Sequence, residues 1–273
     1  MPELPEVETV RRGLVAVLGK RAVIAQVILR RADLRAPIPP DLPRRLRGQP
    51  ILGIRRRAKY LLWDTPAAIL LCHLGMTGTW RVAAPGDDRD HDHCLLELTD
   101  GRRLVYRDPR RFGCLDLVSP GAETAHPRLR DLGPEPLAVD FTAAYLHAAT
   151  RGRRAPIKTL IMDQAIVVGV GNIYAAEALF RAGIRPGAAA GRISLAACTR
   201  LVAAIRTVLE AAIAAGGSTI SDFRQAGGDA GYFQHDFRVY GRAGQACVQC
   251  ATILRESTLG GRTSVWCATC QRG

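Results

Sequence analysis

The chain has 273 residues, 48% of them hydrophobic and 23% charged. That is enough for one large domain or two ordinary ones, each with a core, and it excludes a disordered or fibrous class. No apolar run approaches the ~20 residues of a membrane helix and the acidic N-terminus has no signal-peptide core, so a cytosolic protein with no membrane partner is expected.

The net charge is +13, from 38 basic and 25 acidic residues. A globular protein this basic is expected to meet an anion, nucleic acid first. Only Lys20, Lys59 and Lys158 are lysines. A coding bias toward arginine changes the choice of cation but does not create a cationic surplus. Where arginine would serve, this chain uses it, so a persisting lysine hints at a need for an amine.

The chain opens MPELPEVETV. Pro5 suits a first helical position, and Glu6 and Glu8 complement the helix dipole. Pro2 and Glu3 have no such explanation. Val7, Val10, Leu14 and Val17/Leu18 repeat at helical spacing until Gly19, which predicts a helix over 6–18. Short β-like runs follow at 22–29, 51–57, 60–63, 67–74, 94–98, 104–106 and 112–118, with Asp100-Gly101 as a hairpin turn. Strands at this rhythm predict an antiparallel sandwich or barrel. The Pro/Gly-rich stretch 119–136 reads as a linker. Beyond it, helices are predicted over 141–150, 156–163, 173–182 and 194–215, the last ended by Gly216-Gly217. A glycine-rich loop over 221–233 then leads to the C-terminal cysteines.

Cys247-x2-Cys250 and Cys267-x2-Cys270 have the spacing of two knuckles on a small β-hairpin ribbon, a closed four-thiolate zinc site of structural type. Gly260-Gly261 would be the hairpin turn. Arg262 at its tip is then either a solvated charge or a finger onto DNA. Cys72, Cys94, Cys114 and Cys198 lie in apolar segments and read as buried free thiols. Gly169 and Gly171 precede a helix beginning near Asn172, whose bare N-terminal amides could grip a phosphate. The short helix before them carries Lys158, so the pair reads as a DNA-backbone clamp. His73 and Met76, in HLGMTG, read as a strand end and a turn. Phe112, in RDPRRFG, is either an exposed wedge between arginines or an ordinary core residue. HDH, 91–93, suits phosphate contacts or plain solvent exposure.

Together these stretches resemble the bacterial formamidopyrimidine-DNA glycosylase (Fpg/MutM) family. PELPEVE, AKYLL, HLGMTG, HDH, DPRRFG, LGPEPL, the IK…VGVGNIYA block, GGST…DF…GYF, VYGR and the cysteine ribbon follow in order along essentially the whole chain. PELPE, rather than PEGPE, separates it from the endonuclease VIII-like sister group. The resemblance implies an α+β multidomain fold: an N-terminal β-sandwich with flanking helices over 1–118, a linker over 119–136, a helical helix–two-turn–helix domain over 137–235 and a zinc ribbon over 236–273. It implies a monomeric bifunctional glycosylase/AP lyase with one structural Zn2+, acting in the cytoplasm at the nucleoid on double-stranded DNA that carries 8-oxoguanine or formamidopyrimidines.

The resemblance also assigns roles. Pro2, freed of Met1, is the nucleophile. The chemistry agrees, because an α-amino group titrates near ~8 and a secondary amine gives a cationic iminium that draws electrons from the sugar. Glu3 shuttles protons. Lys59 serves phosphate contact and β-elimination, and Arg262 serves phosphate binding and δ-elimination. Met76, Arg110 and Phe112 fill the hole left by the flipped base, Arg110 facing the orphaned cytosine. His73, His91, Arg153, Lys158 and Asn172 match DNA-contacting positions. Ser218, Thr219, Ile220 and Tyr232 match the lid over the base. The chain departs from the family at Ala251, where many members carry glycine, at GGRTSVWC, where GQRSTFYC is usual, and at Arg107, where Asn or Thr is common. Two other readings stand beside this one. The first is a non-catalytic zinc-ribbon DNA-binding protein. The second is a glycosylase for oxidised pyrimidines, which PELPE and the long GGST…GYF stretch oppose.

Overall fold

The computed structural model describes residues 1–19, 22–84, 86–218 and 233–272. The chain forms two compact units, one of residues 1–130 and 215–232, the other of residues 131–214 and 233–273.

The first unit opens with helix α1 (Leu4–Leu18), capped by Glu3 in an extended conformation. The cap is reciprocal: the Glu3 side chain accepts from the Glu6 amide, and the Glu3 N–H donates to Glu6 Oε2 at 2.9 Å. Leu4, Val7, Val10, Leu14 and Leu18 form its buried face, the 3.6-residue stripe expected from the sequence. At its other end the Arg102 guanidinium donates to the carbonyls of Val17 and Leu18, a cation closing a helix C-terminus.

Strand β1 (Ile24–Leu29) and the short helix α2 (Leu42–Leu46) come next. Then follow β2 (Gly53–Arg57), β3 (Tyr60–Asp64), β4 (Ile69–His73), β5 (Thr79–Ala83), β6 (Asp92–Leu98), β7 (Arg103–Arg107) and β8 (Cys114–Val118). They make two four-stranded antiparallel sheets, ordered β1-β6-β7-β5 and β2-β3-β4-β8. One core of buried residues from both sheets and α1 joins them, so the predicted sandwich is present. At its centre Trp63, Trp80 and Tyr106 stack, with ring centroids 4.9 and 5.3 Å apart. Strand β5 and helix α2 go beyond the sequence reading. β5 lies on a sheet edge, and its five residues directly follow HLGMTG, which reads as a strand end and a turn; its Arg81 is bound to Asp87 and Asp92 at 2.7 Å each. α2 is too short to show a period.

The second unit holds helices α3 (Ala143–Thr150), α4 (Ile157–Ile161), α5 (Asn172–Ala182) and α6 (Leu195–Ala214), and the hairpin of β9 (Arg255–Leu259) and β10 (Arg262–Trp266). α6 packs against α3 and α5, and α5 against β10. Gln164 shapes the turn between α4 and α5. Its side-chain amide donates to the carbonyls of Met162 and Val170 at 3.0 and 3.1 Å, and its oxygen accepts from the Gly169 N–H at 2.8 Å. Gly169 adopts φ 79°, as such a turn requires.

Candidate active site

The cap of α1 places Pro2 and Glu3 in buried positions at the N-terminus of the helix. Glu6, also buried, does more than cap: its Oε1 accepts from both the amide and the hydroxyl of Ser218, at 2.9 and 3.0 Å. One carboxylate therefore ties the start of the chain to the root of the segment after α6. Gly217 approaches so closely that a Cβ there would lie 3.2 Å from Glu6 Oε1. Nothing in the sequence marked Glu6 for this; it read as a dipole-complementing acid. Thr219, Ile220 and Tyr232 lie outside the described residues.

Lys59 sits in the two-residue turn between β2 and β3, where Arg57 pairs with Tyr60. Ala58 before it is buried and left-handed, φ 53°. Alanine in that region is strained, and strain of this kind gathers at functional turns. Arg56 braces the turn by donating to the Ala58 carbonyl at 2.9 Å, and it pairs with Glu8 of α1 at 3.4 Å. Burial works to raise the Glu8 carboxyl, but hydrogen bonds from Arg11 and Arg12 outweigh it and hold it below the usual range. The same ion cluster thus fixes the first turns of α1 beside the turn bearing Lys59, which is 6% exposed.

His73, at the end of β4, stacks on Tyr60 with ring centroids 4.9 Å apart, and its Nδ1 accepts from the Gly75 N–H at 3.0 Å. Burial, then the charge of Lys59, pushes its imidazole down to about 4. It is neutral at pH 7.

Met76 and Phe112 are 40% and 43% exposed, so Phe112 is not a core residue. The Arg110 guanidinium lies 4.8 Å from the Phe112 ring centre. These residues come from two loops with one support. Buried Asp108 accepts from Thr77 Oγ1 at 2.6 Å and from the Gly113 N–H at 2.8 Å, and Thr77 accepts from the Arg110 N–H at 3.1 Å. The loops touch backbone to backbone: a Cβ on Gly75 would meet the Phe112 carbonyl carbon at 2.3 Å. Thr77 and Asp108 were inside recognised motifs but carried no assignment, because their role depends on a contact 31 residues away. His91 is exposed, with φ 70°. The rest of HDH departs from the expected surface position. Asp92 is buried against Arg81, and His93 is buried with Nε2 2.9 Å from the Asp108 carbonyl.

In the second unit, Arg153 is exposed and Asn172 begins α5, its Oδ1 buried without a hydrogen-bond partner. Lys158 is 1% exposed and donates to the Thr263 carbonyl at 3.1 Å and to Ser264 Oγ at 2.7 Å. It fastens α4 to β10, the strand that begins with exposed Arg262. Glu177 of α5 holds the ribbon's other root. Its carboxylate accepts from the N–H groups of Arg238, Val239 and Tyr240 at 2.9–3.0 Å.

The sulfurs of Cys247, Cys250, Cys267 and Cys270 all lie within 4.8 Å of one another. Cys247 and Cys270 are separated by 3.9 Å and Cys250 and Cys267 by 3.4 Å, too far for disulfides. A tetrahedral thiolate site with ~2.3 Å bonds separates its sulfurs by ~3.8 Å, so the donor set fits a four-coordinate soft metal. The other four cysteines are buried and free.

Two family models match the chain: the formamidopyrimidine-DNA glycosylase N-terminal domain over residues 1–115 and the formamidopyrimidine-DNA glycosylase H2TH domain over 132–224. A formamidopyrimidine-DNA glycosylase of Bdellovibrio bacteriovorus is 53% identical over 272 residues, 100% of both chains. The chain belongs to the formamidopyrimidine-DNA glycosylase family. Solved glycosylases of the family share its fold. Wild-type Lactococcus lactis Fpg (MutM), in complex with a DNA containing N7-benzyl-Fapy-dG, matches with TM-score 0.91 and 32% identity over 100% of both chains. A MutM in complex with DNA containing carbocyclic 8-oxo-G matches with TM-score 0.91, 32% identity and the same coverage. In this chain the described residues form sheets, helices and a C-terminal cysteine cluster. Among the described residues no helix is long and apolar enough to cross a membrane.

Proposed function

We propose that this chain is a base-excision-repair glycosylase and AP lyase that removes 8-oxoguanine and formamidopyrimidines from double-stranded DNA, with Pro2 as its nucleophile. The full-length match to formamidopyrimidine-DNA glycosylases carries the reading. The reciprocal cap that fixes Pro2 and Glu3 in a buried N-terminus supports it.

Removal of Met1 frees the Pro2 amine. Its lone pair attacks the anomeric carbon, the glycosidic bond breaks, and the base leaves with the bonding electrons and a proton. The bond from the anomeric carbon to the ring oxygen then opens, the oxygen takes a proton from Glu3, and the nitrogen lone pair completes an iminium that acidifies the neighbouring sugar carbon. Loss of that proton expels the 3′ phosphate, and a second elimination expels the 5′ one. Glu3 moves the protons. Lys59, on its braced turn, and Arg262, at the ribbon tip, hold the phosphates and assist the two eliminations. Met76, Arg110 and Phe112 occupy the space of the flipped base. His73, as a neutral imidazole, with His91, Arg153 and Asn172, contacts the DNA. Lys158 serves that contact through the ribbon strand it fastens. Ser218, anchored by Glu6, roots a lid completed by Thr219, Ile220 and Tyr232.

The division of labour follows the chain: catalysis in 1–118, a linker over 119–136, DNA binding by the helical 137–235 and the ribbon 236–273. Cys247, Cys250, Cys267 and Cys270 would hold Zn2+, which supplies the ribbon with a structural cross-link. The protein works as a monomer in the cytoplasm, at the nucleoid.

A panel of duplexes tests the reading. Glu3→Gln should lower excision of 8-oxoguanine at least 100-fold while duplex affinity stays within a factor of about three, the signature of a lost proton carrier. Excision confined to oxidised pyrimidines, or a Glu3→Gln protein of full activity, would defeat it.

A further inference from the structure

A cavity of about 810 Å3 lies in the second unit between the α5–α6 connection, the first turns of α6 and the β9–β10 hairpin. Arg185, Arg192, Arg200, Arg255 and Arg272 line it, with Glu256 as its one acid. All five arginines are exposed. Among the described residues none of them pairs with a carboxylate. Arg11, Arg55, Arg81 and Arg103 of the first unit, by contrast, each bind a carboxylate at 2.6–2.8 Å.

Three of the cavity's cations are also held in place. Arg200 and Arg272 each donate through Nε to a backbone carbonyl, of Ala182 at 3.2 Å and of Thr269 at 3.1 Å. The Arg185 guanidinium lies 4.4 Å from the ring centre of Trp266, a nearly buried wall of the cavity. Converging cations repel one another until an anion joins them. Guanidinium groups match phosphate oxygens in paired hydrogen bonds. Five of them exceed what one phosphate can engage, and they suit a run of phosphates. Arg153, Lys158, Asn172 and Arg262, the DNA contacts assigned above in this unit, are not among the lining residues.

We propose that this cavity is a second nucleic-acid site, which takes the phosphate backbone of a DNA segment other than the one bound at the lesion. The inference leans on the DNA-binding reading only for the choice of polyanion. A protein that grips two segments can pass between them, so the site would serve the search for damage rather than its excision.

The test is the double variant Arg185→Gln/Arg255→Gln, with Arg185→Lys/Arg255→Lys as the charge-preserving control. Fluorescence anisotropy would follow binding to an undamaged duplex of about 60 base pairs across a salt series, and the slope of log affinity against log salt should fall by about two units, one per lost contact. Affinity for that duplex at low salt should fall roughly tenfold, and the lysine control should keep most of it. Single-turnover excision from a lesion duplex of about one helical turn should be unchanged. Equal losses on both duplexes would put the arginines in the lesion footprint and overturn the inference. Unchanged affinity and slope would overturn it as well. So would saturable binding of ATP alone that the variant loses while its long-duplex affinity stays intact, since the cavity then takes a free nucleotide. If the double variant fails to fold, Arg192→Gln and Arg255→Gln singly carry the same measurement, with a slope change of about one each. Wild-type protein that binds the long duplex and excises nothing would sink the enzymatic reading and leave the salt slope to judge this one.

Discussion

Ala251 stands directly behind a knuckle cysteine with a left-handed backbone, φ 60°. It is one of the positions at which the chain departs from the family resemblance. The physical cost is steric: an L-residue in this region loses ~1–2 kcal/mol, against at most ~1 kcal/mol that glycine gives up through the unfolded chain. Ala251→Gly should therefore stabilise the ribbon by up to about 1 kcal/mol, seen as slower metal loss to a competing chelator. Faster loss would mean that Ala251 contributes something beyond its backbone.

His73 makes a second prediction at this scale. Its folded pKa of about 4 lies below the ordinary histidine value. Between these values the unfolded chain binds more protons, so stability falls as pH falls through the window and is fully present above it. From about pH 7 to about pH 4.5 this site should remove ~2–3 kcal/mol. Denaturation of the wild type and His73→Gln across that range would isolate the difference. Parallel pH dependences would show that the ring is not held neutral.

Among the elements, Glu177 anchors the ribbon to α5 through three backbone N–H groups. Glu177→Ala leaves those donors buried without an acceptor, which should cost ~3–5 kcal/mol. Amide hydrogen exchange at Arg238, Val239 and Tyr240 should accelerate with it. A loss below ~1 kcal/mol would mean that water replaces the carboxylate.

The elements also show what a sequence can carry. α1 was legible because its buried stripe keeps one period over four turns, and the ribbon because thiolate spacing dictates its own geometry. β5 escaped because it has only five residues and starts directly after HLGMTG, a stretch that reads as a strand end and a turn. Phe112 was undecided between wedge and core because exposure is set by where its loop lands. That placement is made by Asp108 and Thr77, 31 residues apart. Glu6 read only as a first-turn acid, since its bond to Ser218 spans 212 residues.

At the scale of the molecule, five of the surplus cations share one cavity. The first unit pairs many of its arginines with carboxylates, while the second leaves five lining one cavity. The composition foretold an anionic partner but not which cations would be left to meet it. The family match and the buried, doubly capped N-terminus point to one central claim: the amine of Pro2 forms the covalent bond to DNA. The direct measurement is borohydride reduction during reaction with a duplex carrying 8-oxoguanine opposite cytosine, followed by mass spectrometry of the linked peptide. The account predicts a crosslink at Pro2, in protein that has lost Met1. A crosslink at Lys59, or none from protein with a free Pro2 amine on a duplex it binds, would contradict it.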